Sequence, residues 1–201
     1  MSDLPVIRLK PKANARALRH GAPWVYDNEV VTDRRTKAIA AGAIARLEDA
    51  GREALGLVAV NPGSRIFARM LSRDAEGVID EAWLRDRIAA ALSLRVRAYD
   101  APYYRLIHAE GDGMPGVVID RFGDLAVIQP NAAWAEALLP QIVAALQAVT
   151  GVTHVLKNAS GRARALEGLD DISETLAGSA PGDPLPVPMN GATYMADVTG
   201  G

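Results

Sequence analysis

The stretch Tyr104-Arg105-Leu106-Ile107-His108-Ala109-Glu110-Gly111-Asp112-Gly113-Met114-Pro115-Gly116-Val117-Val118-Ile119-Asp120-Arg121-Phe122-Gly123-Asp124 decides the architecture. Residues 105–110 and 116–122 read as strands, and an apolar run fills 125–130. Gly111-Asp112-Gly113 and Gly123-Asp124 separate the three segments. Short strand-like segments bounded by turn residues predict the strands of a meander. Upstream, Ile79, Trp83, Ile88, Leu92 and residues 94–96 form an apolar stripe. Asp86, Arg87, Arg95 and Arg97 largely fall off it, which predicts a helix over 80–98. Pro102 prevents its continuation. Downstream, residues 134–149 predict a second helix, opening near Asn131 and closing at Thr150-Gly151. A strand over 152–157 and a short helix over 160–166, ended by Gly168, follow. A leading helix and then β-β-β-α-β predicts an α+β domain with one sheet packed by helices.

The first 73 residues read differently. Residues 5–10 alternate as a short strand that Pro11 breaks, and Asn14 can cap a helix reaching about Arg19. Trp24-Val25-Tyr26 starts a strand after Gly21 and Pro23. Residues 44–48 and 54–60 form a hairpin about Asp49-Ala50-Gly51-Arg52. Asn61-Pro62-Gly63-Ser64 is a second turn before a strand over 66–71. One short helix among several short strands predicts a small, partly open β-barrel. Residues 178–190, rich in Gly, Pro and Asp, read as a linker. Asn190-Gly191 then signals a terminal hairpin that ends on Gly200-Gly201. With nothing to pack against, such a hairpin is expected to lead into a further domain. The fold class is thus mixed α/β (α+β), divided at 1–73, 78–178 and 179–201.

Charge follows the same division. Residues 1–73 hold 13 Lys/Arg against 7 Asp/Glu, and residues 74–201 hold 9 against 17. A basic module of +6 is joined to an acidic one of −8, although the total is only −2. Basic modules commonly meet polyanions, because neutralising phosphates releases counterions; the alternative is a solvated surface. The sequence contains no cysteine, which excludes disulfides, thiolate metal sites and a cysteine nucleophile within these residues. His20, His108 and His154 show no metal-ligand spacing, so no metal site is expected. No secretory signal or bilayer-length apolar stretch is visible, so a cytoplasmic location without a membrane partner is expected.

The residues expected to touch RNA are Lys10, Lys12, Arg16, Arg19, His20, Tyr26 and Arg65. Cations interleaved with aromatics can hold phosphates while a ring stacks on an unpaired base. Trp24 is expected in the core, since tryptophan is mostly buried. The glycines of 111–116 resemble a phosphate loop, but a strand rather than a helix follows, so a turn needing positive φ explains them better. His108, Glu110 and Asp112 alternate, and a solvated edge is preferred to a metal or acid–base site. Ser160, His154 and Asp170 lack a nucleophile-elbow context, so no hydrolase triad is expected.

Three passages together resemble one family: residues 19–26, residues 61–66 with 69–73, and residues 104–124. The chain is similar to the N-terminal part of the bacterial large-subunit ribosomal RNA cytosine-5 methyltransferases that begin with a PUA domain. The resemblance implies that residues 1–73 are a PUA-like RNA-binding barrel and that 78–178 are the central α+β domain. It implies that the hairpin leads into a class I S-adenosylmethionine-binding domain, which carries the cofactor site and a catalytic cysteine and is absent here. Many relatives have His where this chain has Ala22. The family chemistry implies thiolate addition at C6 of cytosine, so no catalytic, cofactor-binding or metal residue is expected here. The implied role is substrate recognition on ribosomal RNA, with S-adenosylmethionine as cofactor of the full-length family. The alternatives are a stand-alone RNA-binding module and a self-association module forming a homodimer.

Overall fold

A computed structural model describes residues 4–189 and 191–199. The N-terminal sheet contains β1 (Val6–Arg8), β2 (Trp24–Tyr26), β3 (Ile44–Glu48), β4 (Ala54–Val60) and β5 (Ile66–Ser72) in the order β1-β3-β4-β5-β2. β1 runs parallel to β3, and the other pairings are antiparallel. An isolated Leu9–Val30 bridge returns the chain after β2 to the end of β1, curling the sheet into a near-closed barrel. Alternation fills its inside: Ile7, Leu9, Val25, Leu47, Val58 and Phe67 share one core cluster. Helix α1 (Ala15–Arg19) starts where expected, with Asn14 accepting the Ala17 N–H at 3.0 Å. Helix α2 (Arg34–Lys37) has no counterpart in the sequence reading; Asp33 caps it by accepting from Arg35 and Thr36.

The second sheet contains β6 (Tyr103–His108), β7 (Val117–Phe122), β8 (Leu125–Pro130), β9 (His154–Lys157) and β10 (Glu174–Ala177), in the order β10-β9-β8-β7-β6. The meander β6-β7-β8 is antiparallel as predicted, and β8–β9 is parallel. Helices α3 (Glu81–Ala98) and α5 (Leu139–Thr150) share its main core, where Leu84, Ile88, Ile142 and Leu146 meet Leu106, Ile119 and Ile128. Trp134 anchors that core; its indole N–H donates to the Pro115 carbonyl at 2.8 Å, and its ring meets Trp83 edge-on at 6.2 Å.

Three expectations need correction. The single helix over 134–149 is two, α4 (Ala133–Ala137) and α5, because Pro140 has no N–H and its ring opposes the carbonyl four residues back. The linker 178–190 contains β11 (Leu185–Met189), paired with β12 (Ala192–Ala196). Pro186 and Pro188 are tolerated there because a two-stranded ribbon has only edge strands. The hairpin also has something to pack against. Leu185 and Val198 cover Leu125, Val127 and Leu156 on the sheet face away from the helices. That explains the unbroken apolar run of β8, which is buried on both faces. Asn190 and the Gly200-Gly201 ending lie outside the described residues.

The two sheets are joined by apolar contact. Ala59 and Leu71, from β4 and β5, belong to the same cluster as Leu84 and Trp134, and Ile44 packs against it. Gly42 makes that approach possible: its φ is +85°, and a Cβ there would lie 2.7 Å from the Ala133 carbonyl oxygen.

Candidate nucleic-acid interface

A cleft of about 1090 Å³ opens between the two sheets. The N-terminal sheet contributes Trp24, Tyr26, Asn28, Ser64, Arg65 and Arg69 to its lining. The second half contributes Ala109, Gly116, Val118, Asn131, Leu166 and Glu167.

Trp24 and Tyr26 stand two residues apart on β2 and so share one face. Trp24 is 38% and Tyr26 39% exposed, which overturns the expectation that Trp24 is core; Val25 between them is the buried residue. Their rings meet edge-on, with centroids 6.5 Å apart. The Trp24 indole N–H donates to Glu110 Oε1 at 2.8 Å, which fixes the plane of an exposed ring. Arg69 Nη1 donates to the same oxygen at 3.3 Å.

Glu167 forms the floor. It follows helix α6 (Arg162–Leu166) and is 7% exposed. Its Oε1 accepts from Ser64 Oγ at 3.1 Å and Arg69 Nη2 at 2.9 Å. Its Oε2 accepts from Asn61 Nδ2 at 2.9 Å and the Ala133 N–H at 3.3 Å. Burial alone would raise this carboxyl; the hydrogen bonds from Asn61 and Arg69 and the Arg69 charge outweigh it and hold the group below the usual carboxylate range. The turn 61–64 is therefore also a clasp for the opposite half. Arg164, 1% exposed, fixes α6 by donating to the Pro130 carbonyl, Glu136 and the Asp170 carbonyl.

The seven expected RNA contacts do not form one cluster. Tyr26 and Arg65 line the cleft, and Lys10 Nζ donates to the carbonyl of Asn28, another lining residue, at 2.9 Å. Lys12, Arg16 and His20 are exposed but are not lining residues. Arg19 is engaged by Asp49 at 2.7 Å and Glu53 at 2.8 Å, both at the β3–β4 turn. The 108–112 segment is no solvated edge. β6 ends at His108, and residues 109–112 form a 3-10 turn. Glu110 there reaches Trp24 and Arg69, while Asp112 accepts from Arg95 at 2.5 Å and from the His108 N–H at 2.7 Å. Arg69, Glu110, Asn131 and Glu167 were absent from the sequence-based site. The side-chain contacts of Arg69, Glu110 and Glu167 join residues 34 to 106 apart, which no local pattern reveals.

The glycines of 111–116 open a strand, β7, and Gly113 and Gly116 have φ of +72° and +79°. The strand–loop–helix cradle of a doubly wound cofactor site is not built there, and the chain has no cysteine, so these residues do not fit S-adenosylmethionine or a thiolate step. No helix among the described residues is long and apolar enough to cross a membrane.

Comparison with known proteins gives the context. Residues 7–73 match the profile of a PUA-like domain. The chain is 32% identical over 193 residues to the ribosomal RNA large subunit methyltransferase I of Cronobacter sakazakii, covering 94% of this chain and 48% of that protein. It is 31% identical over 189 residues to the protein of the same name from Alteromonas mediterranea, covering 92% and 47%. A solved structure from Streptococcus mutans, assigned as a SAM-dependent methyltransferase, superposes with a TM-score of 0.76 at 17% identity, covering 96% of this chain and 48% of that one. The chain spans about half the length of the curated relatives it matches. It carries a PUA-like domain and is homologous, over nearly all its length, to ribosomal RNA large subunit methyltransferases.

Proposed function

We propose that this chain is the RNA-binding, substrate-recognition portion of an S-adenosylmethionine-dependent methyltransferase acting on C5 of a cytosine in large-subunit ribosomal RNA. The reading divides it at 1–73, 78–178 and 179–201, with RNA contacts at Lys10, Lys12, Arg16, Arg19, His20, Tyr26 and Arg65. One observation carries the RNA-binding role: an exposed aromatic pair, Trp24 and Tyr26, on the +6 half of the chain with Arg65 beside it. The similarity to ribosomal RNA methyltransferases supports ribosomal RNA as that nucleic acid. Recognition rather than methyl transfer is assigned to these residues, since the sequence has no cysteine to supply a thiolate.

The test is fluorescence anisotropy of a labelled large-subunit ribosomal RNA fragment, titrated with the whole chain at several salt concentrations. Each phosphate contact removed should take roughly 0.7–0.9 from the log–log slope. Substituting Lys10, Lys12, Arg16 and Arg65 together by Ala should therefore flatten it by about 3. Arg19 should contribute least, because Asp49 and Glu53 already hold it. An unchanged slope would refute the phosphate assignment.

A further inference from the structure

We infer that the cleft between the two sheets is a capture site for an unpaired nucleobase, entered from a single strand or a loop rather than from a duplex. The inference rests on the RNA-binding reading and deepens it.

Trp24 and Tyr26 provide the stacking surface. Two large rings are left exposed on one strand although the barrel core lies directly behind them at Val25. The Trp24 ring is already oriented by Glu110, so stacking orders little that is not ordered beforehand. Val118 and the 76%-exposed Leu166 supply apolar lining from the second half. At about 1090 Å³, the cleft exceeds the roughly 300–1,000 Å³ of ordinary small-molecule sites, so it has room for a base with its sugar and a neighbouring nucleotide.

Asn131 points to what reads the base edge. Its Oδ1 is buried with no hydrogen-bond partner, and its NH₂ group makes no bond among the described residues. Buried polar groups are nearly always satisfied, so an unpartnered amide in a cleft wall calls for an explanation. A base edge supplies both a donor and an acceptor, and a turn of the amide offers whichever end the base requires. Arg65, exposed in the lining, and Lys10 next to Asn28 can hold the flanking phosphates. Glu167 repels a phosphate from the floor, which favours entry base-first. Duplex RNA buries its bases in the stack and cannot use the rings, whereas single strands can.

The experiment uses the whole chain, a single-stranded hexacytidylate and a blunt 12-base-pair RNA duplex, read by anisotropy and by tryptophan emission. Hexacytidylate should quench the emission, and W24F should lose most of that quench; the duplex should cause little. W24A and Y26A should each weaken hexacytidylate binding roughly 5- to 150-fold with an unchanged salt slope. N131A should weaken it about 5-fold or more, whereas R65A should lower the slope by about 0.7. Circular dichroism separates misfolding from lost binding, and W24F, which keeps a ring, should bind better than W24A. If W24A, Y26A and N131A bind hexacytidylate like the unmodified chain while the cation variants weaken it, the cleft assignment falls and RNA binding stands. If the unmodified chain binds neither RNA, both fall.

Discussion

Replacing Glu167 tests whether the clasp holds the two halves together. Each carboxylate oxygen faces donors only: Ser64 and Arg69 on one side, Asn61 and the Ala133 N–H on the other. In E167Q the new NH₂ must face one of these pairs. Asn61 cannot easily turn to accept, because its Oδ1 already takes the Gly63 N–H and its Nδ2 also bonds the Glu167 carbonyl. The substitution is therefore close to isosteric and still costly. E167A takes from Arg69, whose side chain is only 12% exposed, its shorter ion pair and leaves it the longer one to Glu110 at 3.3 Å. Removing one member of a buried ion pair costs about 3–5 kcal/mol. At about 2–4 °C per kcal/mol for a chain of this size, the melting temperature should fall by roughly 6–20 °C. The pH dependence has a defined sign. The Glu167 carboxyl sits below its ordinary value of 4.5, so its contribution is complete above that pH and is lost as the pH falls through the lower folded value. Differential scanning calorimetry should thus show a gap between the original chain and E167Q that is constant above pH 5.5 or so and narrows below about 4.5. A gap under about 1 kcal/mol at pH 7, or one that widens in acid, would refute the reasoning.

Other expectations follow from single contacts. R164A removes the buried guanidinium that fixes α6, and should cost about 3–5 kcal/mol in urea unfolding; a loss under 1 would mean α6 is held elsewhere. G42V forces a left-handed φ on a branched residue and a Cβ onto the Ala133 carbonyl, so it should cost more than about 2 kcal/mol and loosen the junction; native-like hydrogen exchange at 133–135 would contradict this. W24A should lower stability by only about 1–2 kcal/mol, since the ring is exposed and the loss is one hydrogen bond and some packing. A loss of 4 kcal/mol would return Trp24 to the core.

How much was legible depended on the range of the interactions. The meander β6-β7-β8, the capped start of α1 and the hairpin β3-β4 are set by patterns within a few residues, and the sequence reading placed them to within a residue or three. The break at Leu138 was equally local, and Pro140 was the overlooked signal. The Trp24 expectation failed for a different reason. Composition says that tryptophan is usually buried, but on a strand the alternation decides, and Val25 had already taken the inward position. Glu110, Arg69 and Glu167 could not be found at all, since each acquires its role from a partner on the other half.

That division of labour has a consequence for function. The N-terminal half carries the positive charge and the aromatic pair, but it supplies only one side of the cleft lining. The second half is acidic, yet Glu110 sets the plane of the Trp24 ring and Glu167 holds Arg69 and the 61–64 turn in place. Charge attracts RNA without saying where a base should go. In the proposed reading the cleft sets the position, and the two sheets that wall it share an apolar core. If the proposed function holds, recognition belongs to the joined pair, and a variant that loosens the junction should lose base capture before it loses attraction to phosphate.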